Sequence, residues 1–65
     1  MTYAEAIEAS RTGNLIRHPG MSRGWKIVRS IATGDLFYVN PHTGSTYLAT
    51  LKQNEKERDD WSVTK

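Results

Sequence analysis

Trp25-Lys26-Ile27-Val28-Arg29-Ser30-Ile31-Ala32-Thr33-Gly34-Asp35-Leu36-Phe37-Tyr38-Val39-Asn40-Pro41-His42-Thr43-Gly44-Ser45-Thr46-Tyr47-Leu48-Ala49 sets β-favouring runs between turn formers. Trp25, Ile27 and Ile31 alternate with Lys26, Val28 and Ser30, the period of a half-buried strand carrying Arg29 near its end. Thr33-Gly34 suits a tight turn, and Leu36 to Val39 is rich in aromatic and β-branched residues. Asn40-Pro41-His42-Thr43-Gly44 has the chemistry of a second turn before Ser45 to Ala49. The pattern predicts a three-stranded antiparallel meander.

Working outward, Thr2 followed three residues later by Glu5 is a capping box, and Tyr3, Ala6, Ile7 and Ser10 recur at helical spacing. A helix is expected over 3 to about 11, ending at Gly13, with a short strand over 14–17 before the breaker His18-Pro19-Gly20. Beyond the meander, Thr50 with Gln53 offers a weaker capping box for a helix-compatible segment, 51–59. Residues 61–64, Trp61-Ser62-Val63-Thr64, suit a last edge strand. The expected fold class is α+β: an N-terminal helix packed on a small antiparallel sheet, in one domain over 1–65 with no internal repeat and no linker.

Sixty-five residues build a small core, and a domain of this size buries only about 60% of its unfolded surface. No apolar run approaches a membrane span, no charged-then-apolar leader is present, and there is no cysteine for a disulfide or thiolate metal site. A cytoplasmic address and no membrane partner are therefore expected. The net charge of +2 is unevenly spread: Arg11, Arg17, Arg23, Lys26 and Arg29 share a stretch without an acid, whereas Glu55, Glu57, Asp59 and Asp60 crowd the end. That basic stretch, 11–29, suits an anionic partner or an ordinary solvated surface.

Catalytic sets are absent from the sequence. His18 and His42 sit in turns without metal-ligand spacing and are read as structural or solvated, and the side chains of adjacent Asp59 and Asp60 diverge rather than share a proton. No serine stands in a nucleophile elbow and the glycines form no phosphate-cradling loop, so no catalysis, cofactor or metal is expected. Arg23 beside Trp25, with Arg17 and Lys26 nearby, could offer a stacking ring and cations to a nucleotide. Trp25 reads equally as a core anchor.

The ordered set Thr2-Tyr3, Glu5-Ala6-Ile7, Gly13, Leu15-Ile16-Arg17, Gly24-Trp25, Tyr47, Thr50 and Asp60-Trp61-Ser62-Val63 resembles the Thoeris anti-defence sponge family of bacteriophage. The resemblance covers both ends and is loose in the middle. It implies an α+β fold, assembly into a homo-oligomer, and non-enzymatic capture of a cyclic nucleotide or cyclic ADP-ribose-type signal in the bacterial host. A site between protomers would follow, because so small a core cannot enclose such a ligand. By resemblance and residue type, Arg17 and Arg23 would neutralise phosphate, Trp25 or Tyr47 would stack on a base, and Thr50 and Asp60 would hydrogen-bond ribose or base edges. Trp61 is assigned to packing.

A second resemblance covers residues 24–48. Gly24-Trp25, Gly34, Phe37-Tyr38-Val39-Asn40-Pro41, Thr43-Gly44 and Thr46 look like a WW domain, which would imply a small protein-binding inhibitor or adaptor. Leu48 replaces that family's second tryptophan, and its flanking prolines are missing. A nucleic-acid binder using the basic stretch is the third reading, ranked below the small-molecule one.

Overall fold

The computed structural model describes residues 1–64. The capping box forms as the sequence implies: the Thr2 hydroxyl accepts from the Glu5 N–H at 3.3 Å, and the Glu5 carboxylate accepts from the Thr2 N–H at 2.8 Å. It starts helix α1, Tyr3–Ser10, which buries Ala6 and Ser10. Strand β1 is Leu15–Arg17, and the meander follows as β2, Lys26–Arg29, β3, Leu36–Val39, and β4, Thr46–Leu48. A single helical turn, α2, spans Gln53–Lys56, and β5 is Ser62–Thr64. The five strands form one antiparallel sheet in the order β4-β3-β2-β1-β5, so the fold is α+β.

The register explains how so short a chain finds a core. Val63 pairs with Ile16, Ile16 with Ile27, Ile27 with Tyr38 and Tyr38 with Tyr47, which sets one row of side chains across all five strands on the same face. Ala6 of α1 and Trp61 close over that row, with Tyr3, Ile7, Met21, Leu36 and Leu51 packed around them. Burial of each large apolar side chain contributes about 1.5–3 kcal/mol. Trp61 is 2% exposed, and its backbone exchanges two hydrogen bonds with Met1, at 2.9 and 3.0 Å. The two ends of the chain thus meet beside the core.

Two expectations are corrected here. Ile31, read as an inward residue of the first meander strand, is fully exposed, because β2 stops at Arg29 and the Ser30 N–H already donates to the Asp35 carbonyl. The tight turn expected at Thr33-Gly34 is consequently the end of a four-residue loop, 31–34, and the loop 41–44 repeats its design. In each, a glycine N–H reaches back four residues (Gly34 to Ser30, Gly44 to Asn40), and a positive φ, 78° and 74°, turns the chain into the next strand. The second correction concerns 51–59, where only Gln53–Lys56 is helical. The helix begins after Lys52, whose N–H donates to Glu55 Oε1 at 3.4 Å, so Thr50 does not cap it. Leu51 is the only apolar residue of that segment, which leaves no stripe to dock a longer helix, and Asp59-Asp60 oppose the dipole at its end.

Candidate functional site

His18 ends β1's run into the loop 18–25 and is only 3% exposed. The Gly20 N–H donates to its Nδ1 at 3.1 Å, which fixes that nitrogen as an acceptor and leaves Nε2–H to donate to Glu55 Oε2, also at 3.1 Å. Both ring nitrogens are therefore engaged. Its ring meets Trp61 edge-on at 4.7 Å, and the indole N–H of Trp61 donates to the Glu55 carbonyl at 3.0 Å. These bonds fasten α2, too short to be stable alone, against the loop 18–25.

Between the loop and α2 lies an open groove of about 540 Å³, within the roughly 300–1,000 Å³ range of small-molecule sites. Trp25 and Tyr38 give it aromatic surface, and Lys52, Asn54, Glu55 and Arg58 line it from the α2 side. The two rings meet edge to face with centroids 6.4 Å apart. Burial, with the negative charge of Glu55 adding to it, raises the pKa of Tyr38 and keeps the phenol a proton donor. Arg58 is gripped by Asp60 through Nε at 2.8 Å and Nη2 at 2.6 Å. That fork holds the Asp60 carboxyl below its ordinary range and raises the guanidinium pKa in turn.

The residues expected at a site are distributed unevenly. Trp25 lines the groove, and Tyr47, 53% exposed on β4, lies 6.2 Å from it at an interplanar angle of 35°. Asp60 stands behind Arg58. Arg23 is exposed on the loop 18–25, two residues before Trp25, while Thr50 is exposed ahead of α2 and outside the groove lining. Arg17 alternates with buried Ile16 on β1 and so belongs to the opposite face of the sheet.

Sequence reasoning missed His18, Lys52, Glu55 and Arg58 as groove residues. The pairing of His18 with Glu55 spans 37 positions, and no local pattern announces it. The Arg58–Asp60 fork is local, two positions apart, but neither residue was read as the other's partner. Trp25 and Tyr38 share a face of the sheet, with both rings half-buried. No helix among the described residues is long and apolar enough to cross a membrane. Comparison of the chain with protein-family models, curated proteins and solved structures finds no match.

Proposed function

We propose that this chain is a non-enzymatic receptor for a planar, anionic small molecule of the nucleotide type, which it sequesters in the groove between the loop 18–25 and α2. The carrying observation is the composition of that groove: Trp25 and Tyr38 present aromatic surface, and Lys52 and Arg58 present positive charge within the same 540 Å³. A base packs against an aromatic wall, and a phosphate pairs with the Lys52 ammonium and with the Nη1 side of Arg58, since Nε and Nη2 are taken by Asp60. Asp60 acts through Arg58 by fixing the fork, Tyr47 backs Trp25, and Arg23 adds positive charge on the loop. The His18–Glu55 pair is a strut, since neither imidazole nitrogen has a lone pair left for a substrate proton.

The resemblance to the anti-defence sponges supplies the setting of this proposal: a cyclic nucleotide or cyclic ADP-ribose-type immune signal, bound without turnover in the cytoplasm of a bacterial host. A groove open on one side suits an assembly in which a second copy covers the ligand.

Calorimetry with a panel of cyclic mono- and dinucleotides and cyclic ADP-ribose, alongside heat release of any ligand bound on purification, tests the reading. The expected result is saturable binding that quenches Trp25, is lost in Arg58→Ala and Trp25→Ala, and is unchanged in Arg17→Ala. Unchanged affinity in both Arg58→Ala and Asp60→Ala, or no binding across the panel, refutes it. Light scattering that shows a monomer with ligand bound removes the oligomeric part alone.

A further inference from the structure

The groove and the core occupy one face of the sheet. On the other face, strand alternation places Leu15, Val28 and Phe37 opposite in direction to core residues Ile16, Ile27 and Tyr38. Leu48 pairs with Phe37 and Phe37 with Val28, and the Ile16–Ile27 register sets Leu15 beside Val28. Four apolar side chains therefore form a row across four adjacent strands. None of them packs with the core cluster; Leu48 is 61% exposed, and Leu15, Val28 and Phe37 are half-buried. An antiparallel sheet that turns a face to water ordinarily carries polar residues there, so an apolar row marks a surface with a use.

Charge flanks this row asymmetrically. The neighbouring row runs Thr46, Val39, Lys26, Arg17, Ser62, and neither Lys26 nor Arg17 enters an ion pair among the described residues. Asp35, just ahead of β3, lines a small cavity with Tyr3, Leu36, Leu48, Leu51 and Lys56.

We propose that this open face docks an acidic amphipathic helix of another protein, its apolar stripe on Leu48-Phe37-Val28-Leu15 and its carboxylates over Lys26 and Arg17. The dimensions agree: three inter-strand steps of about 4.8 Å span about 14 Å, the length of nine or ten helical residues. A second copy fits poorly, because each brings the cations Lys26 and Arg17 to this face and the paired sheets bring like charges together. A single strand of nucleic acid fits poorly too, since it stacks on successive aromatic rings and Phe37 is the only ring in the row.

The test uses two synthetic helical peptides of about 14 residues, alike in a leucine stripe and differing only in whether one flank carries glutamate or lysine. Titrated into the ¹⁵N-labelled chain, the glutamate peptide is expected to shift amides at Leu15, Arg17, Lys26, Val28, Phe37 and Leu48 while both indole N–H signals stay in place. The lysine peptide should bind roughly tenfold more weakly, and R17E with K26E together should reverse that preference. Should the doubly reversed chain fold poorly, R17Q with K26Q should abolish the preference instead. Equal binding of the two peptides, no binding of either, shifts at the groove, self-association through this face, or tighter binding of a single-stranded oligonucleotide at these residues overturns the proposal. A nucleotide in the groove perturbs Trp25 and a helix on this face does not, so the two readings fail separately.

Discussion

Replacing Trp61 by phenylalanine removes a hydrogen bond and part of a ring from the point where the two chain ends meet. Trp61 is 2% exposed, lies 5.4 Å from Tyr3 and 4.7 Å from His18, and donates to the Glu55 carbonyl at 3.0 Å. Losing the donor costs about 1–2 kcal/mol because a part-buried carbonyl is left short of a partner. The missing ring atoms and the residual cavity add about 1–2 kcal/mol. A loss of about 2–4 kcal/mol is a large share of the roughly 3–10 kcal/mol available to a chain of this length. With an m-value of about 1 kcal/mol/M, the urea midpoint followed by circular dichroism should fall by about 2–4 M or vanish. Trp25→Phe is the control, since Trp25 is half-buried and its indole makes no hydrogen bond among the described residues. A loss below about 0.5 kcal/mol, or one no larger than that of Trp25→Phe, refutes the assignment of Trp61 as the closing anchor.

Thr2→Ala breaks the capping box and should destabilise by about 1 kcal/mol, read as a melting temperature several degrees lower. Gly34→Ala and Gly44→Ala force a Cβ into positive φ and should each cost about 1–2 kcal/mol by urea titration. At Gly34 the nearest obstacle is the movable Arg29 guanidinium, so the two losses should be similar. Acid should destabilise the fold with a defined sign. Glu5 is held below its ordinary pKa of 4.5 by bonds from Thr2, and Asp60 below 3.8 by the Arg58 fork. A depressed native pKa contributes stability above the ordinary value and loses it as pH falls through the native one. The melting temperature should therefore stay level from neutrality to about pH 5 and decline below, less steeply in Glu5→Gln.

The legible parts of the fold were those written in local chemistry. Thr2 and Glu5 announced α1, and the alternation around Ile27, Leu36–Val39 and the two Thr-Gly pairs announced β2, β3, β4 and their loops. Strand order was not legible, because the place of β1 between β2 and β5 depends on Ile16 meeting both Ile27 and Val63, contacts with no local signature. Ile31 misled for a physical reason: the four-residue loop is fixed by Ser30 and Gly34, and it interrupts the alternation two residues earlier than hydrophobicity suggests. The groove was legible in part through Trp25. Its other wall hangs on His18, Glu55 and Trp61, each an ordinary residue until the chain brings them together.

Glu55 joins these levels, and its substitution separates them. Its carbonyl holds Trp61, its Oε2 accepts from His18 and its Oε1 accepts from the Lys52 N–H, so one residue fastens α2 to both core and groove. Glu55→Ala leaves the carbonyl in place and removes both carboxylate bonds, which exposes a buried His18 N–H to the loss of its partner. That should cost about 1–3 kcal/mol and detach the Lys52–Arg58 wall. Glu55→Gln distinguishes a neutral imidazole from a charged one. With Nδ1 already accepting from Gly20, a neutral His18 donates equally well to an amide oxygen, so Gln should recover most of the stability and forfeit mainly the Lys52 cap. If Gln proves as damaging as Ala in urea unfolding at neutral pH, the His18–Glu55 contact is an ion pair and the strut depends on a charged imidazole. If Gln recovers stability, the His18–Glu55 strut is a neutral hydrogen bond, and added salt should leave that strut in place.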